Sequence, residues 1–257
     1  MPNKLFSIII PTLNPGPKLE ETIKSVLSQD NSLFECVIID SASTDGTLDL
    51  LGRYSEQTVF VSRRDPGLYY AMNNGIEMAS GEYLYFLSAG DRLRPDILQT
   101  VAKQLPKITP ALVYGNIYLE DEQREYDGEF DKTKVARKNI SQQAMFYHRS
   151  IFDLLGPFDV RYRILADHLM TIRCFGDSRI QRVYVPHVIA DYEAKCYSLQ
   201  TDPDYIRDEH QIIRQYLGLK TYLPYRLKNL FYYYPKHICL KLVSLIRQRR
   251  ADRRAAI

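Results

Sequence analysis

Three aspartates follow three short apolar runs in the N-terminal half of the chain, and their spacing indicates chemistry. Asp40 directly follows one run, Asp65 comes shortly after the next, and Asp91 lies four residues beyond a third. A single carboxylate in a turn is common and usually has a structural role. Three carboxylates that converge on one edge of a sheet favour a polar binding site instead.

The elements around these aspartates predict that they share one edge of a sheet. Apolar, β-branched runs predict strands at residues 5–10, 36–39, 58–62 and 83–87, and apolar residues at helical spacing predict helices at 18–29, 47–54, 69–79 and 95–105. Strands separated by helices of this length imply right-handed crossovers and a mainly parallel sheet. Ligands of such sheets bind beyond the carboxyl ends of the strands. We therefore predict an α/β fold with a site at that edge.

The second half of the chain follows a different plan. Strands are predicted at residues 111–118, 144–147 and 180–188, helices at 149–155 and 165–175, and a loop or hairpin at 120–131. One domain is expected over residues 1–200, with a helical, basic C-terminal extension over 201–257.

Composition excludes several classes of protein. The 257 residues are 45% hydrophobic and 25% charged, which excludes a mostly disordered chain, a collagen-like repeat and a small disulfide scaffold. The net charge of +3 is too weak to indicate a nucleic-acid partner. The four cysteines lack metal-binding spacing, which favours buried thiols. With no signal peptide and no run of about 18 apolar residues, a cytoplasmic location is expected.

Several motifs then occur in a fixed order along the chain. They are Pro-Thr-x-Asn at 11–14, Asp-x-x-Ser-x-Asp-Gly-Thr at 40–47, Asp-x-Gly-x-x-x-Ala-x-Asn-x-Gly at 65–75, Gly-Glu-Tyr at 81–83, and Ser-Gln-Gln-Ala-Met-Phe followed by Ala-Asp-His-Leu at 141–146 and 166–169. Together they resemble the family 2 glycosyltransferases, inverting enzymes of the GT-A fold, and in particular members of bacterial polysaccharide assembly. The resemblance covers about residues 5–175.

The resemblance implies a role for each matching residue. Asp167 matches the family's catalytic base, which takes a proton from the acceptor hydroxyl. Gln142 and Gln143 match the acceptor side. Nucleotide binding is implied for seven residues, namely Pro11, Thr12, Asn14, Asp40, Ser43, Asp65 and Asn73. Two other interpretations stay open at this point, because Asp167 could instead cap the helix 165–175, and His168 is better explained as a satisfied or surface histidine.

A divalent cation is also implied, because a nucleoside diphosphate is strongly negative. Mn²⁺ or Mg²⁺ is typically held by one or two carboxylates plus phosphate oxygens. The family's acidic metal motif falls at residues 88–91, where this chain carries Asp91 alone, with Ser88 and Gly90 nearby. Ser41 and Tyr70 also stand where relatives carry aspartate. The single acid of the metal motif weakens the prediction of tight metal binding at Asp91 without removing it.

The C-terminal end carries most of the positive charge. Residues 236–257 hold seven basic side chains and one acid, for a net charge of +6, which leaves −3 on residues 1–235. A basic amphipathic helix of this kind suits an anionic membrane surface. A helix docked on the catalytic domain, with a basic tail, explains the pattern almost equally well. Attachment to the inner face of the membrane would suit an acceptor carried on a lipid.

These observations predict a transferase that moves a sugar from a nucleoside-diphosphate donor, expected to be UDP-linked, to a glycan or polyprenyl-linked acceptor by metal-assisted single displacement with inversion. One alternative is a relative that binds nucleotide sugars or glycans without catalysis, suggested by the single acid of the metal motif. A second is a sugar nucleotidyltransferase, which would need a glycine-rich basic loop after the first strand. Residues 11–18 contain only one glycine, so this alternative is disfavoured.

Overall fold

The computed structural model describes residues 4–193 and 201–228, and the elements below are those of this part of the chain. The strands are β1 Phe6–Thr12, β2 Phe34–Asp40, β3 Val59–Ser62, β4 Tyr83–Phe86, β5 Arg92–Leu93, β6 Ala111–Leu119, β7 Arg124–Tyr126, β8 Met145–His148 and β9 Gln181–Tyr192. The helices are α1 Lys18–Leu27, α2 Thr47–Arg53, α3 Leu68–Met78, α4 Ile97–Ala102, α5 Lys132–Val135, α6 Ser150–Leu155, α7 Ala166–Gly176, α8 Pro203–Leu217 and α9 Leu219–Lys228, with a 3₁₀ turn at Gln142–Ala144.

The strands form one sheet in the order β3-β2-β1-β4-β8-β6-β9-β5, with β7 paired to β6. The strands β1 to β4 pair in parallel. β8 lies between β4 and β6 and pairs antiparallel with both. β6 and β9 form a long parallel pair. The predicted α/β fold with a mainly parallel sheet is confirmed. The segment 120–131 contributes a hairpin, since β7 pairs antiparallel with β6.

The register of the first three strands aligns their carboxyl ends. Thr12 is paired with Asp40, and Asp40 with Ser62, so that these last residues of β1, β2 and β3 form one row across the sheet. The loops that leave this row all start at the same edge. We call this row and the loops that follow it, through Asp65, the rim.

Helices cover both faces of the sheet, which explains why its central strands are apolar throughout rather than alternating. Every residue of β1 is buried. Ile9 packs in the cluster that includes residues of α3, α7 and α8, and Ile8 and Ile10 pack in the opposite cluster with residues of α1, α2 and α4. Alternate side chains of one strand thus stabilise both layers.

Helix α3 lies unusually close to the sheet, and Gly75 makes this possible. A Cβ atom at Gly75 would lie 2.4 Å from Cγ2 of Ile9, well inside van der Waals contact. The glycine of the third motif therefore lets α3 rest directly on β1. The close contact fixes the position of every side chain that α3 sends toward the rim.

The described part of the C-terminal extension is helical, as predicted. Tyr205 and Ile213 of α8 and Tyr222 of α9 belong to the same core cluster as α3 and α7. The domain boundary at residue 200 stays a prediction. The basic segment 236–257 lies outside the described residues, as do Cys196 and Cys239.

The two described cysteines, Cys36 and Cys174, are free and buried. Burial raises the pKa of each thiol to about 12, so neither is a reactive thiolate. Among the described residues, no helix combines the length and the apolar character that a membrane crossing needs.

Candidate functional site

Asp40 is fully buried at the rim and organises the turn that follows β2. Its Oδ1 accepts a hydrogen bond from the Ser43 hydroxyl at 2.5 Å, and its Oδ2 accepts from the Ser43 amide at 3.0 Å and the Ser62 hydroxyl at 2.6 Å. Both carboxylate oxygens are thus engaged within the chain. The Asp40 side chain therefore lies beneath the surface of the rim. Its predicted direct contact with a nucleotide stays a prediction.

Ser43 and Asn14 join the loop after β1 to the loop after β2. The backbone amide of Asn14 donates to the Ser43 hydroxyl at 2.8 Å, and the Asn14 side-chain oxygen accepts from the Thr44 amide at 2.8 Å. Asn14 adopts a left-handed backbone conformation, with φ at 47°, which asparagine tolerates better than most residues. Pro11 is buried within β1. The two loops therefore form one fixed wall at the rim.

Two side chains at the rim carry buried oxygens without a partner among the described residues. These are the hydroxyl of Thr12, which is 6% exposed, and Oδ2 of Asp65, whose side chain is 5% exposed. More than about nine in ten buried polar groups in proteins are hydrogen-bonded. Thr12 ends β1 and Asp65 follows β3, so the two unpaired oxygens lie on either side of β2 at the same edge of the sheet. Unpaired buried oxygens at this edge are consistent with a site for a polar ligand.

Helix α3 connects the rim to the second half of the site through three polar side chains. Asn74 donates to Oδ1 of Asp65 at 2.7 Å. Asn73 bonds the backbone of Phe158 in both directions, donating to its carbonyl at 2.9 Å and accepting from its amide at 3.0 Å. Asn73 thus fastens the loop before α7, and its predicted contact with the nucleotide stays untested. The third side chain, Tyr69, reaches Asp167.

Asp167 is a buried carboxyl group held by one hydrogen-bond donor on each oxygen. The Tyr69 hydroxyl lies 2.7 Å from Oδ1, and the Asn139 side-chain amide donates to Oδ2 at 2.8 Å. Asp167 is 9% exposed. Since a carboxylate offers about four acceptor positions, each oxygen can accept a further hydrogen bond.

The capping alternative for Asp167 is wrong. Helix α7 begins at Ala166, its N-cap is Leu165, and no side chain caps it. Asp167 is the second residue of the helix, and its carboxylate points across to α3 and to the segment before the 3₁₀ turn. The aspartate is therefore available for a role outside the helix.

Opposing influences set the protonation of Asp167. Burial raises its pKa above the ordinary value, because a low-dielectric surrounding disfavours the charged form, while the donors Tyr69 and Asn139 partly restore that form. Burial and the negative charge of Asp167 together raise the pKa of Tyr69 well above its usual range, so Tyr69 stays a proton donor. The group is a carboxylate with raised basicity.

His168 is a core histidine, as expected. Its Nε2 lies 2.8 Å from the carbonyl oxygen of Val135, and its Nδ1 lies 2.9 Å from the Tyr205 hydroxyl. Burial lowers its pKa to about 4, which keeps the ring neutral at physiological pH. Both ring nitrogens of His168 thus have partners within the core.

Asp91 is a third buried carboxyl group; it directly precedes β5 and bonds to the 3₁₀ turn before β8. Its Oδ2 accepts from the Gln143 side-chain amide at 2.6 Å, and its Oδ1 from the backbone amide of Glu193 at 3.0 Å. Burial, with a smaller contribution from the charges of Glu193 and Glu120, raises the pKa of Asp91 to about 7. Gln143, predicted on the acceptor side, is itself buried here.

The residues around Asp91 do not fit a divalent cation as they stand. Asp91 is 3% exposed, both of its oxygens already accept hydrogen bonds, and the nearby Glu193 carboxylate pairs with the Lys18 ammonium at 2.6 Å. Within residues 4–193 and 201–228, no group of three or more His, Cys, Asp or Glu side chains could hold a metal ion. Binding of Mn²⁺ or Mg²⁺ at Asp91 stays a prediction.

Gln142 lies on the other side of the 3₁₀ turn from Asp91. The Tyr147 hydroxyl donates weakly to its side-chain oxygen, at 3.5 Å, and its amide nitrogen is buried without a partner among the described residues. An unpaired amide donor is consistent with the predicted acceptor side. That role stays a prediction.

Sequence reasoning missed the two donors that hold Asp167. Tyr69 lies within the third motif, and its spacing gives no sign that its hydroxyl reaches a residue 98 positions away. Asn139 precedes the Ser-Gln-Gln segment and carries no motif of its own. Tyr69 is 4% exposed and cannot serve as a stacking surface for a sugar.

Two sequence comparisons match the chain to known proteins. Residues 7–168 match the family described as "Glycosyl transferase family 2". A "PGL/p-HBAD biosynthesis glycosyltransferase" of Mycobacterium tuberculosis is 38% identical over 195 residues, which are 73% of this chain and 76% of that protein.

Solved structures show the same fold at low sequence identity. A crystal structure of S. aureus TarS 1–349 in complex with UDP-GlcNAc has a TM-score of 0.68 and 18% identity, covering 82% of this chain and 66% of that one. In a longer TarS structure the match covers 82% of this chain and 39% of that one. The mannosyltransferase PcManGT from Pyrobaculum calidifontis, in complex with GDP-Man and Mn²⁺, has a TM-score of 0.59 and 17% identity, covering 83% and 61%.

Proposed function

The chain belongs to glycosyl transferase family 2, and from that membership and the geometry of its site we propose that it transfers a sugar from a nucleoside-diphosphate donor to an acceptor hydroxyl, with Asp167 as the base. The observation that carries the proposal is the buried carboxylate of Asp167, which Tyr69 and Asn139 hold and which α3 connects to the rim. A base and a donor site are thus fixed to one helix.

The proposed reaction is one displacement. Asp167 takes the proton of the acceptor hydroxyl as that oxygen forms a bond to the anomeric carbon. The bond between the anomeric carbon and the diphosphate oxygen breaks, and its electron pair leaves with the nucleoside diphosphate. Because attack and departure occur on opposite faces, the anomeric centre is inverted. Positioning by a rigid helix and proton removal by a base are the contributions that these residues can make.

Tyr69 is suited to both protonation states of the base. Its hydroxyl lies 2.7 Å from Oδ1 of Asp167 and 2.6 Å from the carbonyl oxygen of Ile164, and it has one proton to give. While Asp167 is charged, Tyr69 donates to it. Once Asp167 carries a proton at Oδ1, Tyr69 can turn its own proton to Ile164 and accept from the acid. Proton transfer then leaves no buried group unpaired.

The rim is the proposed donor site. The unpaired oxygens of Thr12 and Asp65 lie at the edge where parallel sheets bind ligands. The Thr12 hydroxyl can donate to or accept from the base edge of a nucleotide, and the Asp65 carboxylate oxygen can accept from a ribose hydroxyl or a base N–H. The hydrogen bond between Asn14 and Ser43 fixes the two loops that border this site, and the buried Asp40 accepts a hydrogen bond from the Ser43 hydroxyl.

The donor is proposed to be a UDP-sugar, because TarS has been crystallised with UDP-GlcNAc; a GDP-sugar is the comparison to make, because PcManGT has been crystallised with GDP-Man and Mn²⁺. The proposed acceptor is a glycan or polyprenyl-linked saccharide of bacterial polysaccharide assembly. The chain is proposed to act in the cytoplasm, at the inner face of the membrane.

The test is thermal stabilisation of the full chain by UDP-sugars, GDP-sugars and the free nucleotides, each with EDTA and with Mn²⁺. A ligand at about 100 times its Kd stabilises the folded state by about 2.7 kcal/mol, an easily measured shift. We expect one nucleotide class to raise the melting temperature. If none does in either arm, the proposal fails. If EDTA leaves the shift unchanged, only the Mn²⁺ or Mg²⁺ prediction fails.

A matched pair of variants locates the donor site. Thr12→Val removes an unpaired hydroxyl, so the melting temperature of the free protein should not fall, while nucleotide binding should weaken about tenfold for one lost hydrogen bond. Thr58→Val removes a buried hydroxyl that donates to the carbonyl of Tyr54, at the other end of β3. This control should lose stability and keep nucleotide affinity. Equal affinities in the two variants would remove Thr12 from the site.

An assay for the transfer product distinguishes a catalytic transferase from a protein that only binds nucleotide sugars. A relative that only binds nucleotide sugars would show the thermal shift and form no product with any saccharide acceptor. The transferase proposal requires product whose anomeric configuration is opposite to that of the donor, which NMR of the purified product reads directly. Retained configuration would overturn the single displacement.

A further inference from the structure

Helix α9 presents a stripe of leucines to solvent. Leu219, Leu223 and Leu227 are 56%, 53% and 54% exposed and follow one another at a spacing of four residues, so they lie on one face over successive turns. Single exposed apolar residues are ordinary on protein surfaces. Three in a row on one helix face are not, and an apolar patch of this kind marks an interaction surface.

The opposite face of α9 explains why the stripe points outward. Thr221, Tyr222 and Tyr225 are buried against the protein, and Tyr222 and Tyr225 join the core cluster that contains residues of α7 and α8. The helix is therefore anchored by its aromatic face. The leucines cannot turn inward without pulling those tyrosines out of the core.

Charge on α9 is entirely positive. The helix contains Lys220, Arg226 and Lys228 and no acidic residue, and all three basic side chains are exposed. At 100° per residue, Lys220 and Arg226 lie on the two flanks of the leucine stripe. In the sequence, the segment 236–257 with its net charge of +6 follows eight residues after the helix.

We propose that the leucine stripe of α9, flanked by Lys220 and Arg226, docks on an anionic membrane surface. An apolar stripe with basic flanks is the pattern of helices that lie in the interface of a bilayer, where acyl chains take up the leucines and lipid phosphates meet the basic groups. The absence of acidic residues on the helix favours an anionic lipid surface over a basic protein partner. This inference rests on the proposed location at the inner face of the membrane and not on the transfer reaction, so the two can fail separately.

The experiment is co-sedimentation of the full chain with phosphatidylglycerol vesicles and with phosphatidylcholine vesicles. Leu223→Glu is compared with Ile108→Glu, which makes the same change at an aliphatic residue 70% exposed in the loop before β6. We expect binding to the anionic vesicles only, weakened by salt, about tenfold weaker in Leu223→Glu and unchanged in Ile108→Glu.

Three results would overturn the proposal. The first is no binding to anionic vesicles, or equal binding to both lipids. The second is a wild-type dimer that Leu223→Glu dissociates, which would make a second copy the occupant of the stripe. The third is a lowered melting temperature of Leu223→Glu with vesicle binding intact, which would mean that residues 229–257 of the same chain cover the stripe.

Discussion

Asp91 and Asp167 are both buried carboxyl groups whose pKa is raised chiefly by burial, yet their neighbours differ. Asp91 is held by two amide donors and lies near the acids Glu193 and Glu120, which further disfavour its charge. Asp167 is held by an amide and by the hydroxyl of Tyr69, which can reverse its hydrogen bond. The surroundings of Asp91 suit a residue that joins segments of the chain, and those of Asp167 suit the proposed base.

The difference shows that a carboxylate at a motif position does not have its role fixed by the motif. Asp91 joins three separate segments, because its side chain bonds Gln143 and Glu193 while its backbone carbonyl accepts from the Thr22 hydroxyl. Each carboxylate oxygen of Asp167 accepts one hydrogen bond and can accept a second. The following predictions test whether the two acids differ in function as they differ in surroundings.

The largest expected effect is on the rate of transfer. Asp167→Asn should lower kcat by at least about a hundredfold, since general bases contribute about 10²–10⁴. Asp91→Asn should lower kcat by less than about tenfold, because Asp91 bonds to Gln143 and Glu193 and is not the proposed base. Both variants should bind the donor as the wild type does, measured by calorimetry. Similar losses in the two variants would remove the distinction.

Tyr69→Phe should have the next largest effect. Removing a donor to the charged form raises the pKa of Asp167, so the acid limb of the kcat/KM profile should move up by about one pH unit, corresponding to a bond of about 1.4 kcal/mol. Tyr205→Phe is the control, because that buried hydroxyl bonds His168 and not Asp167. Tyr147 also lies near Asp167 and is left unchanged in both variants. An equal shift of the acid limb in Tyr69→Phe and Tyr205→Phe would mean that the loss of any buried hydroxyl nearby produces it, and that Tyr69 has no specific effect on Asp167.

The smallest expected effect is on the pH dependence of the free energy of unfolding. The pKa of Asp91 is about 7 when folded and about 3.9 in the unfolded chain, so between these values the folded state holds the extra proton. Stability from this group is present at low pH and is lost as pH rises toward about 7, by at most about 1.4 kcal/mol per pH unit. Asp91→Asn should remove that slope from urea unfolding curves. An unchanged slope would mean that Asp91 is charged in the folded protein.

The sequence predicted the parallel half of the sheet and the row of strand ends well. Apolar runs separated by amphipathic helices have few alternative arrangements, and the motif glycines mark close contacts such as that of Gly75 with Ile9. The antiparallel entry of β8 between β4 and β6 was not predictable, because strand order depends on contacts between distant segments. Motif matching could name Asp167, whereas its capping alternative was settled only by the start of α7.

Roles that depend on neighbours in space were beyond the sequence. Asp40 could be named from its motif, but its burial behind Ser43 could not. The pairing of Asp91 with Gln143 crosses 52 residues, and that of Asp167 with Asn139 crosses 28. Neither pair follows a periodicity that a single sequence records. The two acids looked alike as aspartates near motifs, and only their hydrogen-bond donors distinguish them.

The most direct test of the central claim is the pH dependence of transfer in three proteins, the wild type, Asp167→Asn and Asp91→Asn. If Asp167 is the base, the acid limb of the wild-type profile reports its ionisation. That limb should remain in Asp91→Asn and be absent from the residual activity of Asp167→Asn. A limb that persists in Asp167→Asn and disappears in Asp91→Asn would contradict the assignment and give the catalytic role to Asp91.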